Sequence, residues 1–312
     1  MTESPNSTLT AVPGLAVGHA QDEEAGTGCT VVLGPFRAAV DIRGFAAGTR
    51  QFGALAPNHI VPLVDAVLLT GGSAYGLAAA DGVARWLEER GRGFETDVAR
   101  VAIVPTAVIF DLGAGRADRR PDAEMGRAAC EAASTGPVSE GRVGVGTGAT
   151  VGKLFGPDGA MPGGLGSWAE PLEGHAVGTL TVVNAFGDVT DGRGTIVAGA
   201  RDETGAFVDT SAYLREHGPP SRFQPPPGTN TTLGLVATDL ALTRTDLRTV
   251  ARIAMNAMIR RLSPASSPFD GDLVIACSTG SDPRPRAPAE LLRVGLVAEA
   301  ALGQAMERAV PA

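Results

Sequence analysis

The chain has 312 residues, 44% hydrophobic and 19% charged, enough to bury a sizeable core in one large or two small globular units. Its net charge is −8 and its sequence pI is near 5.1, with Lys153 the sole lysine and no basic run, which argues against a nucleic-acid partner. No apolar run is long enough to span a bilayer, and the polar residues 1–9 lack the pattern of a signal peptide, so a soluble cytoplasmic protein with no membrane partner is expected.

In chain order, residues 1–10 read as a loose tail. Residues 28–33 and 38–42 read as two strands, and the short link Gly34-Pro35-Phe36-Arg37 predicts a hairpin between them. Residues 64–70 form an apolar strand ending in Thr70-Gly71-Gly72-Ser73-Ala74-Tyr75-Gly76. A helix follows to about Arg90, small-residue-rich at first and then amphipathic, with Gly91 as its C-cap. Residues 101–112 read as another strand and 122–133 as a short helix. The glycine-dense stretch 141–148 resembles a dinucleotide fingerprint, but its third spacing is wrong and no good helix follows. Residues 178–186 and 195–200 read as strands, with Asn184 near the end of the first. The polar, Pro-rich stretch 201–230 is the best linker candidate. The cysteines Cys29, Cys130 and Cys277 are odd in number and far apart, which favours buried free thiols over a disulfide or metal framework.

Residues 225–239 organise the rest. Pro225 to Gly228 continues neither a helix nor a central strand, whereas residues 232–237 are apolar, uncharged and β-branched, as in a buried strand. Asn230 and Thr231 stand at the junction. Beyond it, Thr243-x-x-Asp246 resembles a capping box opening a helix to Leu262. A turn at 263–268 leads to Phe269-Asp270-Gly271-Asp272 and a strand to Ser278, and a last helix covers about 287–309. No internal repeat shows. Strands without regular βαβ alternation, with helices to cover them, suggest two stacked sheets between helical layers.

A hydroxyl residue at the first position of a core strand, behind a loop, is what self-cleavage needs. Thr231 Oγ1 attacks the Asn230 carbonyl, the acyl group shifts to oxygen, and hydrolysis leaves an N-terminal Thr whose amine is its own base. A plain loop-to-strand join is the simpler account of that segment alone, and Thr232 is the fallback nucleophile. Asp270-Gly271-Asp272 places two carboxylates on one side of an extended chain, where each shifts the other's pKa; a charged turn is the alternative. Lys153, beside a glycine, is able to approach a site closely, or else is a solvated loop charge. The four histidines are scattered, and no metal-ligand spacing occurs.

Taken together and in order, several of these motifs resemble a known family. Pro13-Gly14-Leu15-x-Val17-Gly18-His19, the Thr70–Leu77 motif, Gly152-Lys153, Val183-Asn184-Ala185, Asn230-Thr231-Thr232-Leu233 and Phe269-Asp270-Gly271-Asp272 are similar to the DmpA family of D-Ala-esterase/aminopeptidases and β-peptidyl aminopeptidases. The likeness spans nearly the whole chain and is greatest to the Thr-nucleophile, nylon-oligomer hydrolase branch. It implies an α+β, four-layer α/β/β/α sandwich of the N-terminal-nucleophile-hydrolase type. It also implies one catalytic domain, 1–312, cut into 1–230 and 231–312, which stay associated in a homo-oligomer, a tetramer. Small amides, aminopeptidase-type peptides or oligoamides are the implied substrates, and no cofactor is implied. Thr231 is then nucleophile and base. Lys153 and Asn184 polarise the scissile carbonyl or hold its oxyanion, Asp270 and Asp272 orient the Thr231 amine, and Tyr75 lines the pocket. Acyl transfer of the ornithine-acetyltransferase type and an unprocessed, non-catalytic homologue are the alternatives.

Overall fold

The structure, a computed structural model, describes residues 6–220 and 229–311; the expected break at 225–228 lies outside them. Strands β1 (Ala16–Asp22), β2 (Thr27–Ile42), β3 (Thr49–Arg50), β4 (Val64–Thr70), β5 (Thr106–Val108), β6 (Gly164–Leu172), β7 (His175–Asn184), β8 (Thr231–Thr238) and β9 (Leu273–Ser278) form the main β-structure. They join in the order β6-β7-β8-β9-β2-β4-β5-β3, with β1 alongside β2. The helices that matter here are α1 (Ala79–Glu88), α2 (Ala123–Glu131), α3 (Thr210–His217), α4 (Arg244–Ala254), α5 (Asn256–Arg261) and α6 (Pro288–Arg308).

Strand β2 is the joint of the structure. Its first part pairs with β1 and β4, and its last part, from Arg37 to Ile42, pairs with β9. The hairpin expected at 34–37 does not form: the chain continues as one 16-residue strand with a register shift between Leu33 and Phe36. Pro35 has no N–H to give to the ladder, so the irregularity falls there and lets one strand serve two sheets.

Side chains sort into three cores by strand alternation. Val32, Val67 and Leu69 from one sheet meet Leu180, Leu233, Leu235 and Ile275 from the other. On the outer face of the second sheet, Val236, Val274 and Ala276 pack with Leu247, Val250, Met258 and Leu302 of α4–α6. On the outer face of the first, Val31, Ala66 and Leu68 pack with Ala80, Val83 and Ala129 of α1 and α2. Three cores separate four layers, the α/β/β/α sandwich expected. Strands covered on both faces read as unbroken apolar runs, and β4 and β8 are buried at every position.

Other expectations shift locally. The tail packs down from residue 8: Leu9 is fully buried and its N–H donates to Ser167 Oγ at 2.8 Å. Of residues 101–112 the sheet takes only β5, because Pro105 interrupts the run. The stretch 201–230 carries α3, N-capped by Asp209 accepting from Ala212 N at 2.8 Å. The Thr243–Asp246 capping box forms, but its helix breaks at Met255. All three cysteines are free and buried. No described helix is long and apolar enough to cross a membrane.

Candidate active site

Strands β8 and β9 run parallel, and β7 runs antiparallel to β8. The starts of β8 and β9 and the end of β7 therefore lie at one sheet edge. There Asn184 pairs with Thr231, and Asn230 bridges to Asp270. Six of the seven residues singled out from sequence meet at this edge; Tyr75 is the seventh.

The Asn230–Thr231 peptide is held by backbone. Asn230 N donates to Phe269 O at 3.2 Å, and Gly271 N donates to Asn230 O at 2.9 Å. The Thr231 hydroxyl donates to that same carbonyl oxygen at 2.5 Å. Gly271 has no room for a side chain, since a Cβ would stand 2.7 Å from Thr231 Oγ1 and 2.9 Å from Ala46 O.

Lys153 reaches the edge from a tight turn. Gly152 before it has φ +70°, and a Cβ there would lie 2.1 Å from the Gly199 carbonyl carbon. Lys153 N donates to Phe186 O at 2.9 Å, which anchors the turn to the chain just beyond β7. The ammonium then donates to Asn230 Oδ1 at 2.7 Å, Asn184 Oδ1 at 2.9 Å and Asn184 O at 3.4 Å. Asn184 is itself held by Phe110 O, which accepts from its Nδ2 at 3.0 Å. Lys153 thus grips the Asn230 side chain, while the N–H on the Asn230 carbonyl is that of Gly271. The carbonyl lies in the sheet plane and bonds the neighbouring strand; the side chain stands clear of it and takes the lysine.

The two acids sit beneath this edge, Asp270 at 1% and Asp272 at 0% exposure. Asp270 accepts from Phe186 N at 3.1 Å and from the Ser267 hydroxyl. Asp272 accepts from Thr232 N at 2.8 Å and Ser266 N at 2.9 Å. Burial, and then the neighbouring Asp270, push the Asp272 carboxyl up to about 7. Burial also raises Asp270, against hydrogen bonds from Ser267 and Phe186 and the charge of Lys153. Lys153 is half-buried as a residue but its charged end is enclosed, and burial lowers it to about 7 against the pull of Asp270 and Asp111.

Thr231 and Thr232 face opposite sides of β8, and Thr232 Oγ1 has no hydrogen-bond partner among the described residues. Tyr75 is 61% exposed with the Arg120 guanidinium carbon 3.9 Å from its ring centre, and no described hydrogen bond ties it to the group above. Sequence reasoning missed the Gly271 N–H, the Ser266–Ser267 pair, Asp111, and the segment 43–46. That segment bonds the acids' backbone: Gly44 N donates to Asp272 O at 2.9 Å and Ala46 N to Asp270 O at 3.1 Å. Backbone donors carry no residue-type signal, whereas the two serines just before the Asp pair were open to view. A cavity of about 590 Å³ lined by Arg260, Arg261, Glu299 and Glu307 contains none of these residues. No described group of three or more His, Cys, Asp or Glu side chains is placed to hold a metal.

The fold is that of the N-terminal-nucleophile hydrolases. It superposes on the L-aminopeptidase D-Ala-esterase/amidase of Ochrobactrum anthropi, described as a variant of that fold, with a TM-score of 0.73 at 21% identity, covering 98% of this chain and 86% of the other. A β-aminopeptidase of Burkholderia sp. gives 0.69 at 21% identity, covering 98% and 87%. By sequence, the description of peptidase family S58 matches residues 7–312. An uncharacterized aminopeptidase of Mycobacterium tuberculosis is 43% identical over 293 residues, 88% of this chain and 82% of its own length. A 6-aminohexanoate-oligomer endohydrolase of Agromyces sp. is 33% identical over 283 residues, 88% of this chain and 76% of its own length. The chain belongs to peptidase family S58 and is, with that family, a hydrolase of amide bonds.

Proposed function

We propose that the chain is a self-processing amide hydrolase with Thr231 as an N-terminal nucleophile. The observation that carries this reading is the Thr231 hydroxyl 2.5 Å from the Asn230 carbonyl oxygen, with the Gly271 N–H on the same oxygen at 2.9 Å. Thr231 Oγ1 attacks the Asn230 carbonyl carbon, and the Gly271 N–H receives the developing oxyanion. The C–N bond breaks, the hydroxyl proton passes to the departing Thr231 nitrogen, and an ester joins Asn230 to Thr231 Oγ1. Water hydrolyses the ester, leaving an Asn230 carboxylate and a Thr231 with free amine and hydroxyl.

In the processed chain the Thr231 amine takes the hydroxyl proton as Oγ1 attacks a substrate amide, and delivers it to the leaving amine. Water then releases the acyl group as a carboxylic acid. Lys153 and Asn184 are left facing the space of the Asn230 side chain, where they serve the substrate carbonyl. Asp270 and Asp272 hold the Thr231 amine in place. The relatives' names support small amides, aminopeptidase-type peptides and oligoamides as substrates. The likeness to the family extends the proposal to an oligomer of processed chains.

Intact mass under denaturing conditions tests the reading. Wild-type protein yields fragments 1–230 and 231–312, Thr231→Ala stays whole, and N-terminal sequencing of the small fragment starts at Thr231 and not at Thr232. A wild-type chain that stays whole on prolonged incubation overturns it.

A further inference from the structure

Asp111 was not singled out from sequence, and the chemistry above does not use it. It follows β5 in a stretch that carries no regular strand, and it is 4% exposed. Its Oδ1 accepts from Gly72 N at 2.7 Å and its Oδ2 from Thr27 Oγ1 at 2.7 Å. The packing around it admits nothing larger: a Cβ on Gly71 would stand 2.0 Å from Asp111 Oδ2, and one on Gly148 would stand 2.8 Å from Asp111 Cβ. The glycines of the Thr70–Ser73 motif thus have a physical reason here. They let the turn close on a buried carboxylate.

The residue before Asp111 makes the second connection. Phe110 O holds Asn184 Nδ2 at 3.0 Å, and Asn184 Oδ1 holds the Lys153 ammonium at 2.9 Å. Among the described residues no carboxylate pairs with Lys153 at ion-pair distance; the charges of Asp270 and then Asp111 act on it at longer range. An enclosed ammonium whose direct acceptors are all uncharged depends on such counter-charges.

We propose that Asp111 is a positioning residue of the hydrolytic site: it pins the Gly71–Gly72 turn and, with Asp270, supplies the counter-charge that keeps the Lys153 ammonium protonated beside Asn184. This rests on the reading of Lys153 as a working ammonium. Burial drives Asp111 up to about 6, opposed by its donors Gly72 and Thr27 and by Lys153, so it carries its charge at neutral pH and above. The other charges near Lys153 in processed protein are the Thr231 amine, the new Asn230 carboxylate and Asp272 beside Asp270.

The test is the pH–rate profile of processed protein on an activated amide. The neutral Thr231 amine sets the acid limb and protonated Lys153 the alkaline limb. Asp111→Asn removes the charge and keeps the shape, so Lys153 loses its proton sooner and the alkaline limb moves down by about one pH unit. Thr27→Val breaks the same hydrogen bond without changing charge and leaves the limb in place. Asp111→Ser, which keeps a hydroxyl for the Gly72 N–H, is the second charge-removing variant should the first not fold. The inference is overturned if a folded Asp111 variant keeps the wild-type limb, or if Thr27→Val moves it equally. Lys153→Met separates the two readings: if it turns over at the wild-type rate, the parent reading of Lys153 fails, and if it is inactive while the Asp111 profile is unchanged, only this inference fails.

Discussion

Lys153 Nζ and Asn230 Oδ1 are 2.7 Å apart, so the chain's sole lysine grips the residue whose carbonyl Thr231 faces. On the proposed cleavage this contact belongs to the intact chain alone, whereas the Lys153–Asn184 contact is expected to survive processing. The two steps therefore come apart by mutation. Lys153→Met slows turnover by roughly 10²–10³, the worth of one preorganised donor, and slows processing through the lost grip on the Asn230 side chain. Asn230→Ala slows processing alone, and once cleaved it turns over at the wild-type rate. Gel time courses and rates on an activated amide check this, and equal loss in both steps for Asn230→Ala sinks it.

Gly271 leaves no room for a side chain beside the Thr231 hydroxyl. A methyl group there would stand 2.7 Å from Thr231 Oγ1 and 2.9 Å from Ala46 O, and neither atom has a flexible end that gives way. Gly271→Ala is expected to stop processing while leaving the far-ultraviolet circular dichroism unchanged. Gly53→Ala is the control, since a Cβ there has nothing within 4 Å, and its effect on stability stays within about 1 kcal/mol. Processing of Gly271→Ala at the wild-type rate would mean that the hydroxyl attacks from some other position.

Most of this architecture was legible because the strands are buried on both faces. Residues 232–237 and 273–278 read as strands from their apolar, β-branched runs alone, and both are fully buried. Strands β1 and β6 escaped, since Ala-Val-Gly-His-Ala-Gln-Asp and a glycine-rich run carry no strong alternation. The same limit applies at the site. Side chains with chemistry, Thr231, Lys153, Asn184, Asp270 and Asp272, were visible by type and motif. The Gly271 N–H was not, because a backbone donor is placed by the β8–β9 pairing rather than by residue identity. The role at 34–37 was likewise hidden: Gly-Pro in a short link reads as a hairpin turn, and only the partners on either side of β2 reveal a strand passing between sheets.

On the proposed cleavage between Asn230 and Thr231, β8 becomes the first element of the small fragment, seated between β7 of the large fragment and β9 of its own. Leu233, Leu235, Leu273 and Ile275 lie in the core between the sheets, so separation exposes apolar surface at roughly 25 cal/mol per Å². The fragments are expected to co-elute on a native sizing column and to part only in denaturant. Separate elution under native conditions contradicts the placement of β8 and β9.

The buried charges predict how stability depends on pH, best measured on unprocessed Thr231→Ala. The Asp272 carboxyl moves from an ordinary 3.8 to about 7 in the fold. Between those values the folded chain holds a proton that the unfolded chain releases, so this group lowers stability as pH rises from about 4 to about 7. Lys153 moves the other way, from 10.5 to about 7. Above about 7 the unfolded chain binds a proton that the folded chain has lost, so this group raises stability towards about pH 10. The contributions together give a minimum near neutrality, each arm amounting to roughly 4–5 kcal/mol at most. Urea midpoints at about pH 4, 7 and 10 resolve the arms. In the Thr231→Ala background, Asp272→Asn flattens the acid arm and Lys153→Met the alkaline arm. Midpoints that neither substitution alters would place both groups in solvent, and the enclosed site described here would be wrong.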